Sequence, residues 1–145
     1  MKGIRSFWAN RLAAVRARKQ PVISPDDPDL AVVARSFDET EAASAALARA
    51  ADWRPELPAV LRHHLVLPTA AEAAVRPVLA ADGWELRAGG AAAERTAVDG
   101  AGFVALRVQR LDALHCSQEA SRMAGLAQRH GGTALGWDAL QPPAR

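Results

Sequence analysis

Apolar positions near the start of the chain, Ile4, Phe7, Trp8, Leu12 and Val15, recur at spacings that share one helix face, with Arg5, Arg16 and Lys19 falling largely elsewhere. Residues 1–20 are therefore expected to form a basic amphipathic helix. Pro21, Pro25 and Pro28, interleaved with Ser24, Asp26, Asp27 and Asp29, break that pattern and supply turn chemistry, which places a linker at 21–29. The apolar run Leu30–Phe37 then suits a strand. Asp38 followed by Glu41 has the spacing of a capping box and opens an Ala-rich helix to Ala51, giving a strand-helix extension over residues 30–58.

A second unit follows the interruption at Asp52–Pro58. Its strand is Arg62–Leu67, its helix is opened by Thr69 and Glu72, and Asp82-Gly83-Trp84 ends it. Pro77 lies inside that helix and removes a backbone donor, so a kink or an early end is expected there. Trp84–Ala88 is a short strand, Gly89–Gly102 a loose loop, and Phe103–Val108 alternates as a strand. Ser117 is placed to cap a helix through about Arg129 that buries Ala120, Met123, Ala124 and Ala127 and stops at Gly131-Gly132. Thr133–Leu140 supplies a last strand before Pro142-Pro143.

From Leu61 onward the order is strand, helix, strand, strand, helix, strand. That is the ferredoxin-like βαββαβ order, an antiparallel sheet with its helices on one face. The expected architecture is therefore α+β, with a ferredoxin-like domain at 59–141 preceded by the strand-helix extension and the N-terminal amphipathic helix.

At 145 residues the chain accommodates one such domain and an appendage. The net charge of +2 conceals an asymmetry. Lys2, Arg5, Arg11, Arg16, Arg18 and Lys19 give residues 1–20 a charge of +6 with no acid, and the remaining 12 basic and 16 acidic residues give the body −4. Three roles for the basic helix stay open: packing through Phe7 and Trp8 on its own domain or a second copy, attachment to an anionic membrane surface, and binding of RNA or the ribosome, whose phosphates six positive charges can neutralise. A lone Cys116 leaves no internal disulfide. The sequence contains no run of about 18 apolar residues and no apolar core of a secretory signal, so a cytoplasmic location is expected.

Candidate chemistry is sparse. His63 and His64 are adjacent, so on a strand they point to opposite faces and do not readily chelate one metal; one is expected to pack in the sheet and the other to sit near solvent. His115 and Cys116 are also adjacent, which rarely gives the hydrogen-bonded geometry of a nucleophile and its base, and the expected reading is a small, partly buried thiol at a helix start. Gly89-Gly90 and Gly131-Gly132 lack the spacing and the lysine of a phosphate loop and read as turns. Trp84 is expected to pack over a helix end, whereas Trp137, close to the chain end, is as well placed to form part of a binding edge. No catalytic residue, metal, cofactor or small-molecule substrate is expected.

His63-His64-Leu65, Asp82-Gly83-Trp84-Glu85, Leu126-Ala127 before the glycine turn and the final Gly136-Trp137 together resemble the regulator of ribonuclease activity B family, the ribonuclease E inhibitors. The resemblance spans about residues 61–140. It implies a ferredoxin-like, non-catalytic regulatory protein that binds a ribonuclease E-type enzyme and restrains RNA turnover. The family ending Tyr-Asp-Gly-Trp stands here as Ala134-Leu135-Gly136-Trp137, and the basic N-terminal segment has no family counterpart. Gly136 and Trp137, together with Phe7, Trp8, Arg5, Arg11, Arg16, Arg18 and Lys19, are the expected partner-binding residues. The competing expectation is an RNA- or ribosome-binding module, or a peripheral membrane adaptor, working through residues 1–20.

Overall fold

The computed structural model describes residues 22–91 and 100–144. The amphipathic helix expected at 1–20 lies outside them, and with it Phe7, Trp8 and the arginines and lysines of that segment. The described chain is α+β, with five antiparallel strands in one sheet and helices packed on it. In chain order these are β1 (Ala31–Ser36), α1 (Ala43–Ala48), β2 (Ala59–Pro68), α2 (Glu72–Ala81, entered through a 3-10 turn at Thr69–Ala71), β3 (Glu85–Ala88), β4 (Gly100–Gln109), α3 (Ala113–Arg129) and β5 (Thr133–Gln141). Across the sheet they lie in the order β1-β5-β2-β4-β3.

The central strand β2 shows why the sheet forms where it does. It pairs with β4 along its whole length, Ala59 opposite Gln109 through Pro68 opposite Gly100, and with β5 on its other side. Period-two alternation sends Leu61, Leu65 and Leu67 to the face covered by the helices, where they meet Val75 and Leu79 of α2, Met123, Leu126 and Ala127 of α3, and Ala46 and Leu47 of α1. Val60 points the other way and joins Val104, Leu106 and Ile23 in a smaller cluster. Thus the segment around Ile23 covers part of the second face before the chain enters β1.

Several boundaries differ from the sequence expectation for local reasons. The first helix begins at Ala43 rather than at Asp38, because Asp38 closes its own turn by accepting from Thr40 N (2.9 Å) and Thr40 Oγ1 (2.6 Å). Glu41 turns to Arg49 instead of capping. Likewise Thr69 makes no cap bond, and Glu72 pairs with Arg76 at 2.5 Å. Pro77 does not end α2; it and Ala73, whose carbonyl loses a partner, are both exposed, so the lost bond falls where water can replace it. The cap of α3 is Asp112, accepting from His115 N at 2.8 Å, and Ser117 lies a turn further in on the exposed side. Leu126 is buried on that helix, whereas Ala124 is exposed.

Side-chain clamps tie the periphery to the sheet. Gln141 is fully buried, accepts from Arg54 N at 3.0 Å and donates to the carbonyls of Arg54 and Leu57 at 3.0 and 3.2 Å, fixing the loop before β2. Arg107 lies over the Trp84 ring at 4.2 Å while pairing with the buried Glu119 at 2.6 Å, so the indole that ends α2 is packed, as its sequence position suggested. No helix among the described residues is long and apolar enough to cross a membrane.

Candidate functional site

Strand β5 enters the sheet irregularly. Opposite β2, His64 pairs with Gly136 and Leu65 with Ala134, so Leu135 is an extra residue bulged out of the ladder. A bulge re-aims side chains, and this one turns the head of β5 into one wall of a groove. Gly136 has φ 150°, and a Cβ there would lie 2.4 Å from the Ser36 carbonyl oxygen and 2.7 Å from the Phe37 ring. Only glycine lets β5 come this close to the end of β1.

The groove has two adjoining depressions of about 220 and 490 Å³. Phe37, Asp38, Glu39, Ala134 and Leu135 line both. The smaller one continues over Ala120, Ser121 and Ala124 of α3 to a floor of His63 and Trp137, with Ser36 and Glu41 at its side. The larger one runs past Ala91. Apolar groups dominate the floor and carboxylates the rim, and no Lys or Arg lines either depression among the described residues.

Electrostatics inside the groove are settled by a few contacts. Glu41 receives Arg49 at 2.7 Å and the Ser36 hydroxyl at 2.8 Å, and these bonds hold its carboxyl at about 2, well below the ordinary range. Asp38 is lowered by its side-chain and backbone bonds from Thr40. Both are ionised at neutral pH. His63 is 2 % exposed, its Nε2 has no hydrogen-bond partner, and its ring meets Trp84 edge-on at 5.2 Å. Burial first, then the neighbouring His64 and Arg107 charges, push its pKa down to about 3, so the imidazole is neutral.

The adjacent histidines do face opposite sides of the sheet, but both are buried, against the expectation that one would sit near solvent. His64 is 3 % exposed because Phe37 (ring centroids 5.2 Å apart) and the turn at Gly90-Ala91 cover it. Its Nδ1 accepts from Ala91 N at 2.9 Å, and its Nε2 makes a bent 3.1 Å contact with Asp138 Oδ1. Asp138 also takes both arms of Arg62, at 2.7 and 2.5 Å, and remains ionised despite its burial, its pKa lowered by His64 and Arg62. This triad seals the sheet behind the groove.

Other candidates fall away from the groove or inside the core. Cys116 is fully buried rather than partly so, and burial, with the Glu119 and Asp112 charges, pushes its thiol up to about 12. His115 holds Asp112 at 2.6 Å as part of the helix cap. No group of three or more His, Cys, Asp or Glu able to hold a metal is present among the described residues. Trp137 is 4 % exposed and joins the core while flooring the groove, and Gly136 lies at its neck. Phe37, Asp38, Glu39 and Leu135 were not among the expected partner-binding residues, although Phe-Asp-Glu at a strand exit is visible in the sequence. Comparison with protein-family models, with curated proteins and with solved structures yields no match.

Proposed function

We propose that this chain is a non-catalytic regulatory binding protein that engages a protein partner at the groove where β5 enters the sheet, and that a ribonuclease E-type enzyme is that partner. The observation that carries this reading is that Leu135 bulges out of the ladder and, with the paired Gly136 and Trp137, lines the groove, and these three residues belong to the stretch that resembles the ending of the ribonuclease E inhibitors. The order β5-β2-β4-β3 with α2 and α3 on one face supports assigning residues 59–141 to the ferredoxin-like fold that the resemblance implies. A neutral, unpartnered imidazole and a thiol raised to about 12 are poor at proton transfer and nucleophilic attack at neutral pH, which favours binding over chemistry. Modulation of RNA turnover in the cytoplasm follows from that partner.

The test is calorimetric titration of the chain into a purified ribonuclease E-type enzyme. Leu135→Lys, which keeps the backbone and changes a half-buried wall residue, should weaken binding at least about tenfold, or roughly 1.4 kcal/mol. Unchanged affinity with an unchanged circular dichroism spectrum would remove the groove from the reading, and absence of binding by the unaltered chain would remove the partner.

A second reading, an RNA- or ribosome-binding role for residues 1–20, is favoured by their six positive charges without an acid. It predicts RNA affinity that falls steeply with salt and disappears when Arg5, Arg11, Arg16 and Arg18 are replaced by Gln. A flat salt response would eliminate it.

A further inference from the structure

We propose that the groove takes the chain's own residues 1–20, docked in cis, so that this segment competes with an incoming partner for the same surface. The proposal rests on the groove being the partner site and names the chemistry it accepts: a segment carrying cations next to aromatic and aliphatic side chains.

Charge complementarity is the first argument. Carboxylates on the strands and helices are already matched, Asp138 by Arg62, Glu72 by Arg76, Glu119 by Arg107 and Glu85 by Arg87, which also takes Asp26; Asp27, Asp29, Asp52 and Glu56, in turns away from the groove, have no arginine partner among the described residues. Glu41 is matched by Arg49. Asp38 and Glu39 at the groove rim have no arginine partner among the described residues, and the lining offers them none. Residues 1–20 carry six cations and no acid, the complement of that rim.

The interior supplies a second, independent argument. Phe37 is 45 % exposed, Leu135 bulges from the ladder into the groove wall, and the buried His63, with an unpartnered Nε2, floors the smaller depression. Large aromatic exposure beside a polar atom lacking a bond is the lining of a surface that is covered in use. Ile4, Phe7, Trp8, Leu12 and Val15 are the apolar groups the N-terminal segment has to bury.

Reach is sufficient. The described chain starts at Val22, next to Ile23, which packs on β2 and β4. From Ile23 the docked segment crosses two strand spacings of about 4.8 Å to the β1 edge and passes round it to the helix-covered face, a layer of about 10 Å. About 14 residues join Trp8 to Val22, which span roughly 21 Å even if fully helical and about twice that if extended.

Intramolecular cross-linking of the full chain tests this. Ser6→Cys is combined with Ala124→Cys, an exposed α3 position on the groove wall, and in a second protein with Val78→Cys, an exposed α2 position toward the β3 edge. The native Cys116 is fully buried and out of reach of the reagent. With a short bis-maleimide at high dilution, the Ala124 pair should link about tenfold faster than the Val78 pair, as docking raises the effective concentration. Asp38→Lys with Glu39→Lys, or salt near 1 M where screening acts within about 3 Å, should erase the difference. Equal rates for the two pairs, or a difference indifferent to charge reversal, would overturn the proposal; linkage only between two chains would replace cis docking by exchange between copies. Because no partner is present in this experiment, failure of ribonuclease binding leaves its result intact.

Discussion

Gly136 and His63 show how single residues shape this molecule. At Gly136 a methyl group would collide with the Ser36 carbonyl, and backbone rather than a flexible side chain would have to yield. Gly136→Ala should therefore lower stability by about 2–3 kcal/mol in urea unfolding, the cost of overpacking combined with backbone strain; a loss under 0.5 kcal/mol would show that β5 does not approach β1 as described. His63 carries the pH dependence. Its folded pKa of about 3 lies below the usual 6.5, so the folded state resists a proton that the unfolded chain accepts. Its contribution is intact above pH 6.5 and is lost as pH falls toward 3, at up to about 1.4 kcal/mol per pH unit. Glu41, Asp38, Asp112 and Asp138, all lowered, add losses of the same sign below about pH 5. His63→Leu should flatten the stability profile between pH 6.5 and 4.5 and cost little at pH 7, since it removes an unpartnered buried nitrogen. An unchanged profile would place the proton elsewhere.

Secondary elements are held at their ends by charged side chains more than by caps read from spacing. Asp112 is the exception: it caps α3, and Asp112→Ala should cost about 1 kcal/mol by thermal unfolding. Both edge strands carry an arginine on a main-chain carbonyl. Arg49 donates to Arg35 O at 2.5 Å and is held by Glu41; Arg76 donates to Leu86 O at 2.7 Å and is held by Glu72. These solvent-exposed pairs add little stability, but they occupy groups that another chain would need for edge pairing. Arg49→Ala with Arg76→Ala should therefore leave the melting temperature nearly unchanged and increase self-association in light scattering. A large melting shift without association would reverse that assignment. Strand and helix positions were legible from alternation and from the Ala-rich runs, because burial on one face enforces both periods. Capping was not, since Asp38, Glu41 and Glu72 have the right spacing but better partners in Thr40, Arg49 and Arg76, and Thr69 is left without a cap bond.

Taken together, the described residues form a sheet covered by helices on one side, partly covered by the Ile23 segment on the other, and opened where β5 enters. That opening gathers residues 36–39, Glu41, His63, three positions of α3 and residues 134–137, stretches up to about 100 residues apart in the chain. No local pattern announces such a constellation. Its nucleus, Gly136-Trp137, was legible as a motif, whereas Leu135 owes its place in the groove wall to a register shift in the pairing of β2 with β5 that only the assembled sheet possesses. The acidic rim likewise becomes visible once the arginines that pair with the carboxylates of the strands and helices are located.

Hydrogen exchange of the full chain with and without a purified ribonuclease E-type enzyme addresses the groove most directly. Complex formation should slow exchange at residues 37–42 and 120–125 and around the bulge at 134–136, with β3 and α2 unaffected. Protection confined to residues 72–88, or none at saturating enzyme, would contradict the assignment of this groove as the partner site.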